Sequence, residues 1–117
     1  MSEPTKKEHE YHDSVAHLGC IACMLDGNIN LYVSIHHCHG RTRRGAHMKV
    51  LPICAGHHQD GTGNDKTMIA IHPYKACFEQ KYGTQEALMS LVEELLDGRA
   101  TVRGVLLGLH IPNCIMR

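Results

Sequence analysis

The chain has 117 residues with no Trp, one Phe and 4% aromatic residues, yet it carries 11 His and 6 Cys. A chain of this size forms one domain that buries a limited share of its surface, so a fold stabilised by large aromatic side chains alone is excluded. The formal net charge is zero with neutral His, which excludes partner recognition through a strongly basic or acidic overall charge. We expect bound metal ions to replace part of the core, since a structural zinc contributes roughly 10–16 kcal/mol to folding.

A first helix is predicted near the N-terminus. Thr5 and Glu8 have the spacing of a capping box, and Gly19 suits the helix end. Between them, apolar residues follow at spacings of four and three: Tyr11, Val15 and Leu18. We expect a single domain over residues 1–117, with 1–10 as a flexible arm and 99–117 as a C-terminal extension.

A β-hairpin is predicted next. Apolar and polar residues alternate from Asn28 to His37, which is the period of a half-buried strand. The short apolar run from Val50 to Ile53 is the expected returning strand, and Gly40 to Gly45 forms a basic loop between them.

Helices are predicted in the second half of the chain. Pro73 suits the first position of a helix that runs to Tyr82. A further helix begins at Thr84 and ends at Gly98. Its apolar face is expected to pack into the core and consists of Leu88, Leu91, Val92, Leu95 and Leu96. The apolar segment from residue 102 to residue 111 is compatible with either a strand or a helix.

Two pairs of ligands have the spacing of zinc knuckles. The pairs are Cys20-x2-Cys23 and Cys54-x2-His57, and together they predict a closed, tetrahedral Cys3His site with a structural role. The alternative is that these residues are ordinary buried thiols and a surface histidine. The other cysteines, which are Cys38, Cys77 and Cys114, are interpreted as buried thiols.

A second group of histidines remains: His36, His37, His39, His47, His58 and His72. Lone histidines are usually structural or exposed. However, the zinc ligand His57 directly precedes His58, so zinc binding would hold His58 near the hairpin end. Hydrolysis of a phosphodiester requires a divalent cation and a neutral imidazole that accepts a proton from water. Because histidine serves both purposes only when neutral, we expect metal binding and catalysis to fail in mild acid.

The sequence leaves two interpretations of a basic run open, a phosphate-binding surface and a merely solvated one. The run comprises Arg41, Arg43, Arg44 and Lys49. The sequence shows neither a secretory signal nor an apolar stretch of membrane-spanning length, so a cytoplasmic location is expected. In that reducing compartment, metal ligation is favoured over disulfides.

These segments resemble the HNH (ββα-metal) endonucleases and, more closely, the phage recombination-enhancement (Ref) family of RecA-dependent nucleases. The resemblance rests on His36-His37, Gly40-Arg41-Thr42, Val50 to Cys54, His57-His58, Ile71-His72-Pro73, Phe78-Glu79 and Tyr82-Gly83-Thr84. It implies an α+β, treble-clef-like fold in which a zinc-stapled hairpin is flanked by helices.

The resemblance also implies residue roles. His37 would be the general base, His36 and His58 would hold the catalytic metal (Mg²⁺, Mn²⁺ or Zn²⁺), and His72 would be a further ligand or face the phosphate. The HNH asparagine has no clear counterpart, since His47 or Lys49 occupies its region. The role of His39 also stays open.

The implied function is metal-dependent DNA endonuclease activity in recombination, on single strands or displacement loops and with RecA filaments as a partner. The alternative is a non-catalytic, zinc-stapled module that binds DNA or a recombination protein. The two differ in whether His36, His37, His58 and His72 converge on a second, open metal site.

Overall fold

In a computed structural model, which describes residues 3–40, 44–60 and 68–109, five α-helices surround a two-stranded antiparallel sheet. The elements in chain order are α1 (Lys6–His17), α2 (Ile21–Leu25), β1 (Ser34–His37), a 3₁₀ helix (Ala46–Met48), β2 (Val50–Ile53), a π-helical turn (Gly56–Asp60), α3 (Ile71–Tyr82), α4 (Gln85–Asp97) and α5 (Val102–Leu106). The α+β class and the antiparallel hairpin expected from the sequence are confirmed.

Helix α1 begins with the predicted capping box. The Thr5 hydroxyl accepts a hydrogen bond from the backbone N–H of Glu8, and the Glu8 carboxylate accepts one from the backbone N–H of Thr5. The expected N-terminal arm is therefore helical from Lys6 onward. After the helix, Gly19 has a φ of +84°, and a Cβ at Gly19 would lie 2.8 Å from the carbonyl oxygen of Asn30. Glycine is required there, because the backbone must pass this close to bring the chain to Cys20.

The predicted first strand is wrong over most of its length. Only Ser34–His37 forms β1, which pairs with β2 from Ser34 opposite Ile53 to His37 opposite Val50. Residues 28–33 lie outside the sheet, and Tyr32 is 90% exposed there. The alternation of apolar residues did not extend the strand, because β2 offers only four residues for pairing.

Helix α4 carries the core-facing stripe that the sequence predicts. The Thr84 hydroxyl caps it by accepting from the backbone N–H of Ala87, and Gly98 ends it with a left-handed conformation. Its buried apolar residues are Leu88, Leu91 and Val92, whereas Leu96, predicted on the same face, is exposed. The helix packs against β2 and α1, and β2 is buried along its whole length.

The remaining helices depart from the predictions at their ends. Helix α3 begins at Ile71 instead of Pro73, and it is kinked at once, since His72 and Tyr74 have non-helical backbone angles. The turn at His72 is thus not the first turn of a regular helix. The segment whose structure the sequence left open contains the helix α5, whose Val105 is buried. Within the described residues, none of the helices combines the length and apolar character needed to cross a membrane.

Candidate metal centres and active site

The four predicted zinc ligands meet in one buried cluster, which we call the closed cluster: Cys20, Cys23, Cys54 and His57. The sulfurs of Cys23 and Cys54 lie 3.7 Å apart. The Nδ1 atom of His57 lies 3.3 to 3.5 Å from all three sulfurs. A tetrahedral zinc ion has S–S and S–N edges of about 3.8 and about 3.6 Å. The donor set and its spacing therefore fit a structural zinc ion.

Local backbone structure places these ligands. Cys20 is the N-cap of α2, where its sulfur accepts from the backbone N–H of Cys23 at 3.4 Å. Cys54 directly follows β2, and the π-helical turn after it brings His57 beneath the same sulfurs. Burial raises the pKa of the Cys20 and Cys23 thiols. Buried thiolates consequently require a cation in their midst.

A hydrogen-bonded chain fixes the ring of His57 from its other side. The Nε2 atom of His57 lies 2.9 Å from the hydroxyl of Tyr82, which donates to Asp26 at 2.7 Å. His57 Nε2–H is therefore the donor to Tyr82, and Nδ1 keeps its lone pair for a metal. Lys81 lies 3.5 Å from the same carboxylate. Sequence reasoning missed Tyr82 and Asp26, since neither has a spacing that relates it to the knuckles.

Three of the remaining histidines converge on a second site, which we call the open cluster: His36, His58 and His72. Their ring centroids lie 5.1 to 5.3 Å apart, and one ring nitrogen of each lies within 4.8 Å of the others. The rings line a cleft of about 420 Å³. His36 is buried, His58 is half-buried and His72 is exposed. Three ligands with one exposed side leave room for further ligands from outside the protein.

Gln85, at the first position of α4, orients His36. Its side-chain oxygen lies 2.8 Å from His36 Nε2, and both residues are buried. An amide oxygen only accepts, so Nε2 of His36 carries the hydrogen and Nδ1 keeps the lone pair that a metal needs. Burial lowers the pKa of His36, which favours the neutral form. No spacing in the sequence indicates this contact, because Gln85 and His36 lie 49 positions apart in the chain.

His37 joins a different group from its neighbour His36. Its Nε2 atom lies 3.0 Å from Nδ1 of His47, and the ring of His12 packs against both. Successive strand residues point to opposite faces, which accounts for the separation. Nevertheless His37 also lines the cleft of the open cluster. The chain turns directly after it, since the N–H of Gly40 donates to the His37 carbonyl at 3.2 Å.

The predicted basic surface is only partly described. Arg41 and Arg43 lie outside the described residues, and Arg44 is exposed. Lys49 lines a separate hollow together with Glu86 and Glu93. Among the described residues that line the cleft, Lys75 of α3 carries a positive charge, and no motif in the sequence indicated it.

The remaining singled-out residues have other surroundings. His39 lies 3.7 Å from Glu86 in a largely solvated pair. Cys38 is half-buried, and burial raises the pKa of its thiol to about 12. Cys77 is exposed, so its interpretation as a buried thiol is wrong; it lies on the outer side of α3. Cys114 falls outside the described residues.

Comparison with known protein families adds a finding to this geometry. A family model described as "Recombination enhancement, RecA-dependent nuclease" matches residues 4–97. The matched stretch runs from the start of α1 to the last residue of α4 and includes all residues of the closed and open clusters.

Proposed function

The chain belongs to the family of recombination-enhancement, RecA-dependent nucleases, and from this premise we propose that it is an HNH-type DNA endonuclease that depends on a divalent metal ion. In this proposal the closed cluster binds a structural zinc. The open cluster binds the catalytic metal, and His37 is the general base. The observation that carries the proposal is the convergence of His36, His58 and His72 in an exposed cleft.

The open cluster offers what phosphodiester hydrolysis needs. A bound divalent cation neutralises charge on the scissile phosphate and on the leaving oxygen. The buried His36 and the half-buried His58 would bind this cation from the protein side, and the exposed His72 would bind it from the solvent side. Lys75, at the same cleft, adds positive charge for a nucleic-acid phosphate. The site therefore suits a phosphate group that approaches from solvent.

His37 is the residue best suited to accept a proton from the attacking water. It lines the same cleft as the open cluster, but its ring lies against His12 and His47 rather than among the three ligands. A general base needs a ring nitrogen that does not bind the catalytic metal. His37 meets this requirement, because its ring is not one of the three that form the open cluster. The contact at 3.0 Å with His47 restrains the ring, so His47 takes the orienting part that an asparagine has in the HNH motif.

The family description also supports the choice of substrate. The description names dependence on RecA, and on this basis we propose that the substrate is a single strand or a displacement loop within a RecA filament. The hairpin and α3, which together carry His36, His37 and His72, would form the face that meets the strand.

A cleavage assay tests the proposal. The purified protein is incubated with circular single-stranded DNA and with circular duplex DNA, in Mg²⁺ or Mn²⁺, with and without RecA filaments. We expect cleavage that depends on the metal and is greatest with RecA. His37→Ala should lower the rate by about 10²- to 10⁴-fold, the usual contribution of a general base, while zinc content stays unchanged.

His17→Ala is the matched control. His17 is an exposed histidine on α1 whose ring contacts the carbonyl of Asp13 in its own helix, so its removal should leave cleavage unchanged. Nicking by His37→Ala at the full rate would remove His37 from its role. Binding of DNA without any cleavage, under all of these conditions, would instead support the non-catalytic binding module.

A further inference from the structure

A third group of histidines lies beside the proposed active site, and we call it the lateral cluster: His12, His37 and His47. One ring nitrogen of each lies within 4.8 Å of the others, as in the open cluster. The three residues come from α1, β1 and the 3₁₀ helix. His47 is buried, whereas His12 and His37 are half-buried. Three imidazoles from three separate elements thus meet at a place that ions can reach.

The closest pair already has nearly the spacing of metal ligands. His37 Nε2 and His47 Nδ1 lie 3.0 Å apart, so one donates a hydrogen and the other accepts it. Two nitrogens on one tetrahedral zinc ion lie about 3.3 Å apart. A cation can therefore replace the shared hydrogen after a shift of a few tenths of an ångström.

His12 has the hydrogen bond expected of a metal ligand. Its Nε2 atom lies 2.6 Å from the backbone carbonyl oxygen of His47. The carbonyl can only accept, so Nε2 carries the hydrogen and Nδ1 of His12 keeps a lone pair. Histidines that bind metals usually donate their other N–H to a carbonyl or carboxylate. His57 and His36 make the corresponding contacts with Tyr82 and Gln85 at the other two clusters.

We infer that the lateral cluster is an inhibitory site for a transition-metal ion such as Zn²⁺. Imidazole nitrogens favour Zn²⁺, Ni²⁺ and Cu²⁺ over Mg²⁺. A cation held by His37 occupies the lone pair that proton transfer requires, so the ion suppresses cleavage without displacing the catalytic metal. The inhibitory consequence rests on the proposed role of His37 as the general base, whereas the binding of the ion does not.

Zinc binding is measured first, without reference to activity. The folded protein with its structural zinc is dialysed against micromolar Zn²⁺, and bound zinc per chain is determined by elemental analysis. His12→Phe keeps a ring but removes the ligand, and we expect it to bind one zinc ion fewer than the unaltered chain. His12→Gln, which keeps a donor for the His47 carbonyl, should lose the same ion. His17→Ala should lose none.

Inhibition is measured second, as the Zn²⁺ concentration that halves cleavage in Mn²⁺. We expect His12→Phe to need roughly tenfold or more zinc than the unaltered chain to halve cleavage, each measured against its own rate without added zinc, since removal of a ligand costs at least as much affinity as loss of an outer hydrogen bond. Equal zinc content in His12→Phe, His12→Gln and the unaltered chain would overturn the metal site. Loss of the ion with unchanged inhibition would overturn the inhibitory role. A protein that cleaves nothing defeats the proposed function, yet the zinc count still decides whether the site exists.

Discussion

The closed and open clusters differ in ligand type, in ligand number and in access to solvent. At the closed cluster all four ligands are buried, and the sulfurs and the His57 nitrogen have tetrahedral spacing. At the open cluster three imidazoles line a cleft, and their exposure rises from buried His36 to exposed His72. The difference teaches that four buried ligands, three of them thiols, suit a structural centre, whereas three imidazoles with one exposed side suit a candidate catalytic one.

Both clusters are supported by an outer hydrogen bond from a helix end. Tyr82, at the end of α3, contacts His57, and Gln85, at the start of α4, contacts His36. Only Gly83 and Thr84 separate these two residues in the chain. One short connection between helices therefore orients a ligand in each centre.

The largest expected effect comes from breaking the closed cluster. A structural zinc contributes on the order of 10 kcal/mol to folding, which is comparable to the whole stability of a small domain. Cys23→Ser should therefore unfold the chain or sharply lower its melting temperature, as measured by circular dichroism together with zinc content. The control is Cys77→Ser, which alters an exposed cysteine and should change neither. Normal zinc content and stability in Cys23→Ser would contradict the structural assignment.

A smaller effect is expected from removing the hydrogen bond of Gln85 to His36 or that of Tyr82 to His57, and each removal should affect only its own cluster. Loss of such a contact typically lowers metal affinity by about 10- to 100-fold. Gln85→Leu should raise the metal concentration needed for half-maximal cleavage by that factor and leave the structural zinc in place. Tyr82→Phe should speed zinc loss to a chelator and leave the metal dependence of cleavage unchanged. Faster zinc loss in Gln85→Leu, or an altered metal dependence of cleavage in Tyr82→Phe, would contradict this prediction.

The smallest effect concerns the phosphate contact at the cleft. Lys75→Ala should weaken DNA binding a few-fold and reduce the slope of log affinity against log salt concentration by about one. Binding is measured in the His37→Ala background, so that the DNA stays intact. Lys49→Ala is the comparison, because Lys49 lies in a hollow with Glu86 and Glu93. An equal loss in Lys49→Ala would support the basic surface expected from the sequence and would extend the DNA-binding face beyond the cleft.

The sequence predicted local features better than distant contacts. The capping box at Thr5, the helix start at Thr84 and the stop at Gly98 depend on neighbouring residues; the structure confirms the box and the stop, and Thr84 is the N-cap directly before the helix. The spacing of the knuckles also predicted the closed cluster, because short ligand spacings constrain the backbone. In contrast, the extent of β1 depended on how many residues its partner strand offered, which the alternation of residues 28–33 could not reveal.

Contacts across the fold were beyond sequence reasoning for the same reason. Gln85 contacts His36 across 49 positions of the chain. The hydrogen bond from His12 to His47 spans 35 positions. No periodicity links such residues, so their meeting follows only from how α1 and α4 pack on the hairpin.

The adjacency of His57 and His58 has a consequence for the newly made protein. The π-helical turn contains both residues, and the Nδ1 atom of His57 lies 3.3 Å from the sulfur of Cys54. In the proposed function, a chain that has not yet bound the structural zinc lacks the ligand bond that would hold this ring, so His58 beside it has no fixed place at the open cluster. Under that proposal, filling of the closed cluster comes before assembly of a working open cluster.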